Sequence, residues 1–548
     1  LKKIFLILIL LVLTTSAFCE DEVYTYPNLP KENWVNSLKT KISSYFTYPT
    51  ETVYPEKAVT NKIKDNYEVS LFKGEVEPAQ LVIINEWATR GDVLDNVSID
   101  ISTVKYQNKD TKENWITPYL VGYVKFKDSL VPDPLIPLKE SFSIPIYKKQ
   151  AIWLSIKAPE NAKPGKYSAV ISTKVDGKVI EKKTLNIKVV NKVFEKPYNM
   201  GITIMMGYQA PKGITEKLAI DRHLYADDFH HGSAKPDFYM DNSGNIKADF
   251  KKFDAEIEKR FAYGQKYFTL GYSIGAGADM FFYGININVI MPNGEIKEIS
   301  INPEESPEAA KRFKQVFSQY QQHLIEKNWI NNANIYLYDE PVTQEAIDLT
   351  KKYAYHFKEV APKIPILIVC GPLAEALDNK FDIACPLINH CRENTIDYAK
   401  KNNLKLWMYS CGDLQNVSLT LGFPGIDYRE YAWIAYRFNV DYLLYWAIDY
   451  GIQNQSMLNK TTYNAMEGNG DGLLFYKYED SGKTIAIPSI RTENLRDGVE
   501  DYMLFQMSSK KYKKLNKEIE KLIPDQFRRT QDSKAVYELR ERLINSFK

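Results

Sequence analysis

The sequence predicts an α/β protein: an antiparallel β-sandwich followed by a C-terminal (β/α)8 barrel. Three observations point there. Before about residue 190, apolar residues alternate with polar ones and turn signals recur. From about Tyr198 the rhythm changes to strands alternating with helices, about eight times over. Those later strands are continuous apolar runs, the pattern of a parallel sheet buried on both faces.

The N-terminus opens with Lys2 and Lys3, then an apolar run from Ile4 to Leu13, with the small residues Ala17 and Cys19 ahead of Glu20. This is the layout of a cleavable export signal over residues 1–19, too short for a comfortable membrane span. Secretion or passage through a secretory compartment is therefore expected. No later stretch reaches 18 uninterrupted apolar residues, so no membrane span is expected. In an exported chain Cys370, Cys385, Cys391 and Cys411 permit disulfides without requiring them, and their spacing does not resemble a zinc site. Asn96, Asn416, Asn454 and Asn459 each begin a glycosylation sequon.

The sandwich domain is expected over residues 20–195. In "AIWLSIKAP", Ile152, Leu154 and Ile156 share one face. Tyr167, Ala169, Ile171, Thr173 and Val175 follow at period two, and Asp176-Gly177 marks a hairpin. The barrel is expected over residues 196–548. "MGITIMMGY" and "YFTLGYSIG" read as early strands, and "DFKKFDAEIEKRFAYG" as a helix ending at Gly264. Ser306 caps the next helix, with Pro307 at its first position. An open doubly wound sheet is the rival arrangement, but no glycine-rich phosphate loop follows an early strand.

Charged residues make up 26% of the chain and nearly cancel, leaving a net charge of +2, which gives no electrostatic footprint for nucleic acid. Aromatic residues reach 13%, with 38 Tyr, 25 Phe and 8 Trp. Rings stack on sugar faces, so this excess suits a glycan-binding protein, as it also suits a Tyr-rich proteome. No cofactor or metal is called for; His230-His231 reads as a loop pair.

Chemistry is expected where "IYLYDEP" ends. Asp339 and Glu340 fall at the C-terminal end of the fourth barrel strand, the face where barrel enzymes place their sites. Pro341 is expected to hold Glu340 extended and to stop the pairing, letting both acids reach the mouth. The plainer reading makes Asp339 the cap of the following helix and Glu340 a surface residue. Other strand ends carry Tyr208, Tyr272, Asn389, His390, Trp407, Tyr409, Trp446, Asp449 and Tyr450, and Tyr338 leads into the acidic pair. Aromatic rings with a few polar groups at one mouth would make a sugar pocket.

The segment from Gly470 to Phe505, with its Gly-Asp-Gly turn, Pro-Ser-Ile-Arg stretch and "LRDGVEDY" helix, resembles the C-terminal signature of glycoside hydrolase family 123. "LYDEP", "WMYSCG" and "YREYAWIAYRFNVDYLLYWA" match its barrel segments in order, and "VEPAQLVI" and "WLSIKAPENAKPGKYSAVI" resemble its β-domain. The resemblance implies release of a terminal β-linked N-acetylgalactosamine, with retention and with the sugar's own acetamido oxygen as nucleophile. It implies Asp339 as the carboxylate that orients the acetamide and Glu340 as general acid/base. On chemical grounds Glu340 is then expected to have a raised pKa, and Asp339 to be kept ionised by hydrogen bonds. Tyr409 is the candidate donor to the acetamido oxygen. Trp407, Trp446, Tyr208, His390 and Tyr338 are candidate sugar contacts. Arg491, Arg496, Glu500 and Asp501 are expected as structural ion pairs. Two alternatives stay open: a hydrolase of another 2-acetamido sugar such as an N-acetylglucosaminide, and a non-catalytic glycan-binding protein.

Overall fold

The computed structural model describes residues 41–547, apart from 65, 88–92, 208, 210–213, 230, 231, 233, 277–284, 371–380, 413–416 and 465–467. The export signal expected at 1–19 lies outside these residues.

The N-terminal part is two packed sheets. One is built on Lys41–Thr47, Val76–Trp87, Lys149–Lys157 and Ile116–Phe126; the other on Asn66–Phe72, Lys178–Val190, Gly165–Val175 and Val93–Ile101. Tyr167, Ala169, Ile171 and Thr173 are buried at period two, and Asp176 and Gly177 both take positive φ (47° and 75°), the backbone of a tight hairpin. Pairing is mainly antiparallel, but Asn66–Phe72 runs parallel to Lys178–Val190.

Eight parallel strands follow: β1 (Ile202–Met206), β2 (Leu224–Ala226), β3 (Phe268–Thr269, continued at Gly275–Ala276), β4 (Ala333–Asp339), β5 (Ile366–Cys370), β6 (Ile383–Pro386), β7 (Lys405–Ser410) and β8 (Tyr442–Ala447). Their order is β2-β1-β8-β7-β6-β5-β4-β3, as a (β/α)8 fold requires. The helices are α1 (Ile214–Ile220), α2 (Lys251–Tyr263), α3 (Pro307–Glu326), α4 (Gln344–Val360), α5 (Glu393–Lys401), α6 (Gly425–Arg437), α7 (Ile490–Ser508), α8 (Leu515–Leu522) and α9 (Ser533–Ile544). Ser306 caps α3 by accepting from Ala309 N at 3.1 Å, and Gly264 ends α2 in the left-handed region (φ 107°). At the seam between β2 and β3 a side chain bridges the strands. Asp227 accepts from the Thr269 amide (2.7 Å) and pairs with Arg260 of α2 (2.9 Å).

A four-stranded sheet of Ile246–Asp249, Asp237–Met240, Asn286–Ile290 and Ile296–Ser300 is inserted beside the barrel, and sequence reading missed it. Its strands are short, and one edge is held by side chains: Gln315 and Gln319 of α3 accept from the amides of Ile246 and Ala248.

The two halves are fused by charge. Helix α7 is buried almost all round, between α6 and the sandwich. Arg429 of α6 reaches Glu77 of the sandwich (3.0 Å) and Asp501 of α7 (2.7 Å), and Arg540 of α9 reaches Glu77 (3.1 Å), Glu75 and Asp501. Arg496 pairs with Asp497 (2.6 Å) and Glu493. Thr462-Tyr463, after β8, joins the sandwich sheet beside Ile116–Phe126.

Candidate active site

Asp339 ends β4, and β4 is irregular just before it. Tyr336 pairs with Leu367 of β5 and Tyr338 with Ile368, so Leu337 is an extra residue. A bulge of this kind lets residues an odd number apart share a face. Tyr336 and Asp339 do so: the Tyr336 hydroxyl donates to Asp339 Oδ1 at 2.6 Å. The same hydroxyl lies 3.7 Å from the Met205 sulfur of β1. Strands β1 and β4 are not neighbours in the sheet, so this contact crosses the barrel lumen.

Glu340 departs from the expected extended conformation. Its φ is +54°, although its amide still donates to Val369 O of β5 (3.1 Å). Pro341 disfavours right-handed helical backbone at the residue before it, yet at the end of the strand Glu340 takes the left-handed region and not the extended one that this preference favours. For a side chain with a Cβ that costs on the order of 1–3 kcal/mol, a strain typical of functional positions. The turn breaks the alternation that would send adjacent acids to opposite faces. The Tyr409 hydroxyl of β7 donates to Glu340 Oε1. As β5 and β6 separate β4 from β7, this bond also spans the lumen at the C-terminal end. Asp339 does not cap the helix that follows; Thr343 does, accepting from Ala346 N at 3.2 Å.

Asp339 is largely buried, and burial lifts its carboxyl above the usual aspartate range while the Tyr336 hydrogen bond opposes the rise. The expected hydrogen bond is present, but burial outweighs it. Burial and the neighbouring Glu340 carboxylate push the Tyr409 hydroxyl well above the ordinary tyrosine range, so it stays a donor. Cys411, one step past β7, is pushed up to about 12 by burial first and then by the charges of Glu340, Asp471 and Asp339.

Several expected sugar contacts are elsewhere. Trp407 is 1% exposed, with its ring against Tyr267 (5.1 Å) and Tyr442 (5.3 Å). It lies two residues below Tyr409 on the same face of β7 and fills the barrel floor. Tyr338 has no exposed surface; it alternates away from Asp339 and is core. Tyr272 bonds Tyr320 of α3 and so belongs to the helix layer. Tyr208, His230 and His231 lie outside the described residues. His390 is partly exposed in a one-turn helix just past β6, its pKa lowered by burial and Arg392. Trp446 is at the rim: Leu444 of β8 is the partner of Tyr409, and Trp446 is two residues further up the same face. Sequence reasoning missed Tyr336, hidden because a bulge was not foreseen, and Asp471, whose Gly-Asp-Gly setting was the available signal. Arg491, Arg496, Glu500 and Asp501 are buried in the fused interface, as expected of structural groups.

Two family models match the chain: glycoside hydrolase 123, catalytic domain, over residues 237–508, and the glycoside hydrolase 123 N-terminal domain, over residues 48–175. Among solved structures, a family 123 glycoside hydrolase from Clostridium perfringens, studied for glycolipid glycan hydrolysis, superposes with a TM-score of 0.61. It is 16% identical, over 93% of this chain and 98% of that one. A family 39 glycoside hydrolase from Bacteroides cellulosilyticus WH2 gives a TM-score of 0.31 at 12% identity, over 70% and 77%, a likeness too slight to carry weight. No curated protein matches the sequence.

Proposed function

The chain belongs to glycoside hydrolase family 123, and from that premise we propose that it is an exported, exo-acting β-N-acetylgalactosaminidase working by substrate-assisted retention. The observation that carries this reading is the adjacent pair Asp339 and Glu340 at the mouth of the lumen, each held by its own tyrosine.

In this reaction the acetamido oxygen of the terminal sugar attacks its own anomeric carbon while the bond to the departing oxygen breaks. Glu340, protonated at the start, gives its proton to that oxygen. Asp339, ionised, accepts the acetamide N–H and faces the positive charge that develops on the oxazolinium ring. Its burial strengthens that attraction, because little water screens it. Glu340, now a carboxylate, takes a proton from water as the water oxygen attacks the anomeric carbon from the side the leaving group vacated. The acetamide is restored and the configuration retained. No protein nucleophile is needed, so two acids on one strand end suffice. Tyr409 is read here as the group that fixes the Glu340 carboxyl, in place of the expected donor to the acetamide.

The test is turnover of aryl β-N-acetylgalactosaminide, its gluco epimer and the 2-hydroxy galactoside. Cleavage of the first alone supports the reading. Equal cleavage of the 2-hydroxy sugar removes the acetamido mechanism, and no turnover of any leaves the non-catalytic alternative.

A further inference from the structure

The Gly470–Gly472 turn is built into the rim at the ends of β7 and β8. Asp471 spends its whole carboxylate there. Oδ1 accepts from the Tyr445 hydroxyl (2.7 Å), and Oδ2 accepts from the Trp446 indole N–H (2.9 Å) and the Gly412 amide (2.8 Å). Tyr445 and Trp446 are neighbours on β8 and point to opposite faces, so one carboxylate fixes both sides of the strand end. Gly472 lets the turn close on the indole: a Cβ there would lie 2.2 Å from Trp446 Cζ2, and φ is +72°. Tyr450 covers another part of the ring, at 5.1 Å. The turn is held from below by Arg491, which donates to Gly470 O (3.0 Å) and Leu473 O (2.7 Å). Arg491 is itself fully buried and paired with Asp133 of the sandwich at 2.9 Å.

We propose that Asp471 is a positioning residue that locks the Trp446 ring as the platform for the terminal sugar, and that Asp133 of the β-sandwich acts on the same platform through Arg491. The inference rests on the glycosidase reading and extends it: the sandwich domain helps to set substrate affinity. A rigid indole presents an apolar face to the C–H face of a sugar without losing freedom on binding. Asp471 touches no reacting atom, so it governs binding more than chemistry.

The experiment compares wild type with Asp471→Asn, Trp446→Phe, the double variant and Asp133→Asn. It reads KM and kcat on aryl β-N-acetylgalactosaminide and acrylamide quenching of tryptophan fluorescence without ligand. Asp471→Asn keeps the shape but loses an acceptor. It is expected to raise KM about tenfold with kcat within about threefold, and to increase quenching. In the Trp446→Phe background the same change is expected to add nothing to either reading, because it acts through the ring. Asp133→Asn is expected to shift KM in the same direction by less. Multiplying KM effects in the double variant, or an unchanged KM in Asp471→Asn, overturns the proposal. An equal quenching increase with and without Trp446 does the same. A wild type without turnover defeats the glycosidase reading instead, and the quenching comparison still decides whether Asp471 holds the ring.

Discussion

Tyr336 donates to Asp339 from three residues back on the same strand, at 2.6 Å, a bond that only the extra residue Leu337 makes geometrically available. It opposes the larger effect of burial on the Asp339 carboxyl. Burial raises this carboxyl and the hydroxyl lowers it, so Tyr336→Phe should raise it further. Asp339 works ionised; a higher pKa therefore moves the acid limb of the kcat/KM profile to higher pH. Both limbs unmoved in Tyr336→Phe would contradict the assignment.

Replacement of the acids should separate their roles. Glu340→Gln should lower kcat by about 10²–10⁴-fold on substrates with poor leaving groups, and by much less where the departing phenol needs no proton. Asp339→Asn should slow all 2-acetamido substrates, whatever the leaving group, because it removes the partner of the acetamide N–H. A leaving-group series run on both variants distinguishes the two patterns; identical patterns would reject the division of labour.

The contact between α6 and α7 leaves no room for a methyl group. A Cβ on Gly498 would lie 2.2 Å from the backbone oxygen of Arg429, which has no flexible end to move aside. Gly498→Ala should cost about 1–3 kcal/mol or more as the helices are pushed apart. Denaturant unfolding reads this directly, and a midpoint equal to wild type would refute the close packing.

Stability should fall as pH rises through neutrality. The fused interface gathers the carboxylates Glu75, Glu77, Glu493, Asp497, Glu500 and Asp501 against the guanidiniums of Arg222, Arg429, Arg496 and Arg540. Acids outnumber bases, and burial pushes Glu75 and Glu500 each up to about 8. A carboxyl raised on folding holds its proton in the native state while the unfolded chain has lost it. Its contribution is therefore complete below the ordinary glutamate pKa and is lost as pH climbs to about 8. The slope is at most about 1.4 kcal/mol per pH unit for each proton. Glu500→Gln removes one such group, so its melting curve should fall less steeply from pH 5 to 8. Parallel curves for the two proteins would count against it.

The sequence by itself determined the layout. Period-two burial in Gly165–Val175, the Ser306-Pro307 helix start and the Gly264 stop are local patterns, and local backbone preferences decide them. The unbroken apolar strands announced a buried parallel sheet, and counting them put the acidic pair on the fourth. Tertiary structure decided which side chains meet. Trp407 and Tyr409 look alike in the sequence, yet one fills the floor of the barrel and the other holds Glu340. Tyr336 reaches Asp339 through a bulge, and Asp471 reaches Trp446 across a turn. Each of these depends on strand register and closure around the lumen, which join residues far apart in the chain and leave no mark on the periodicity of any one segment.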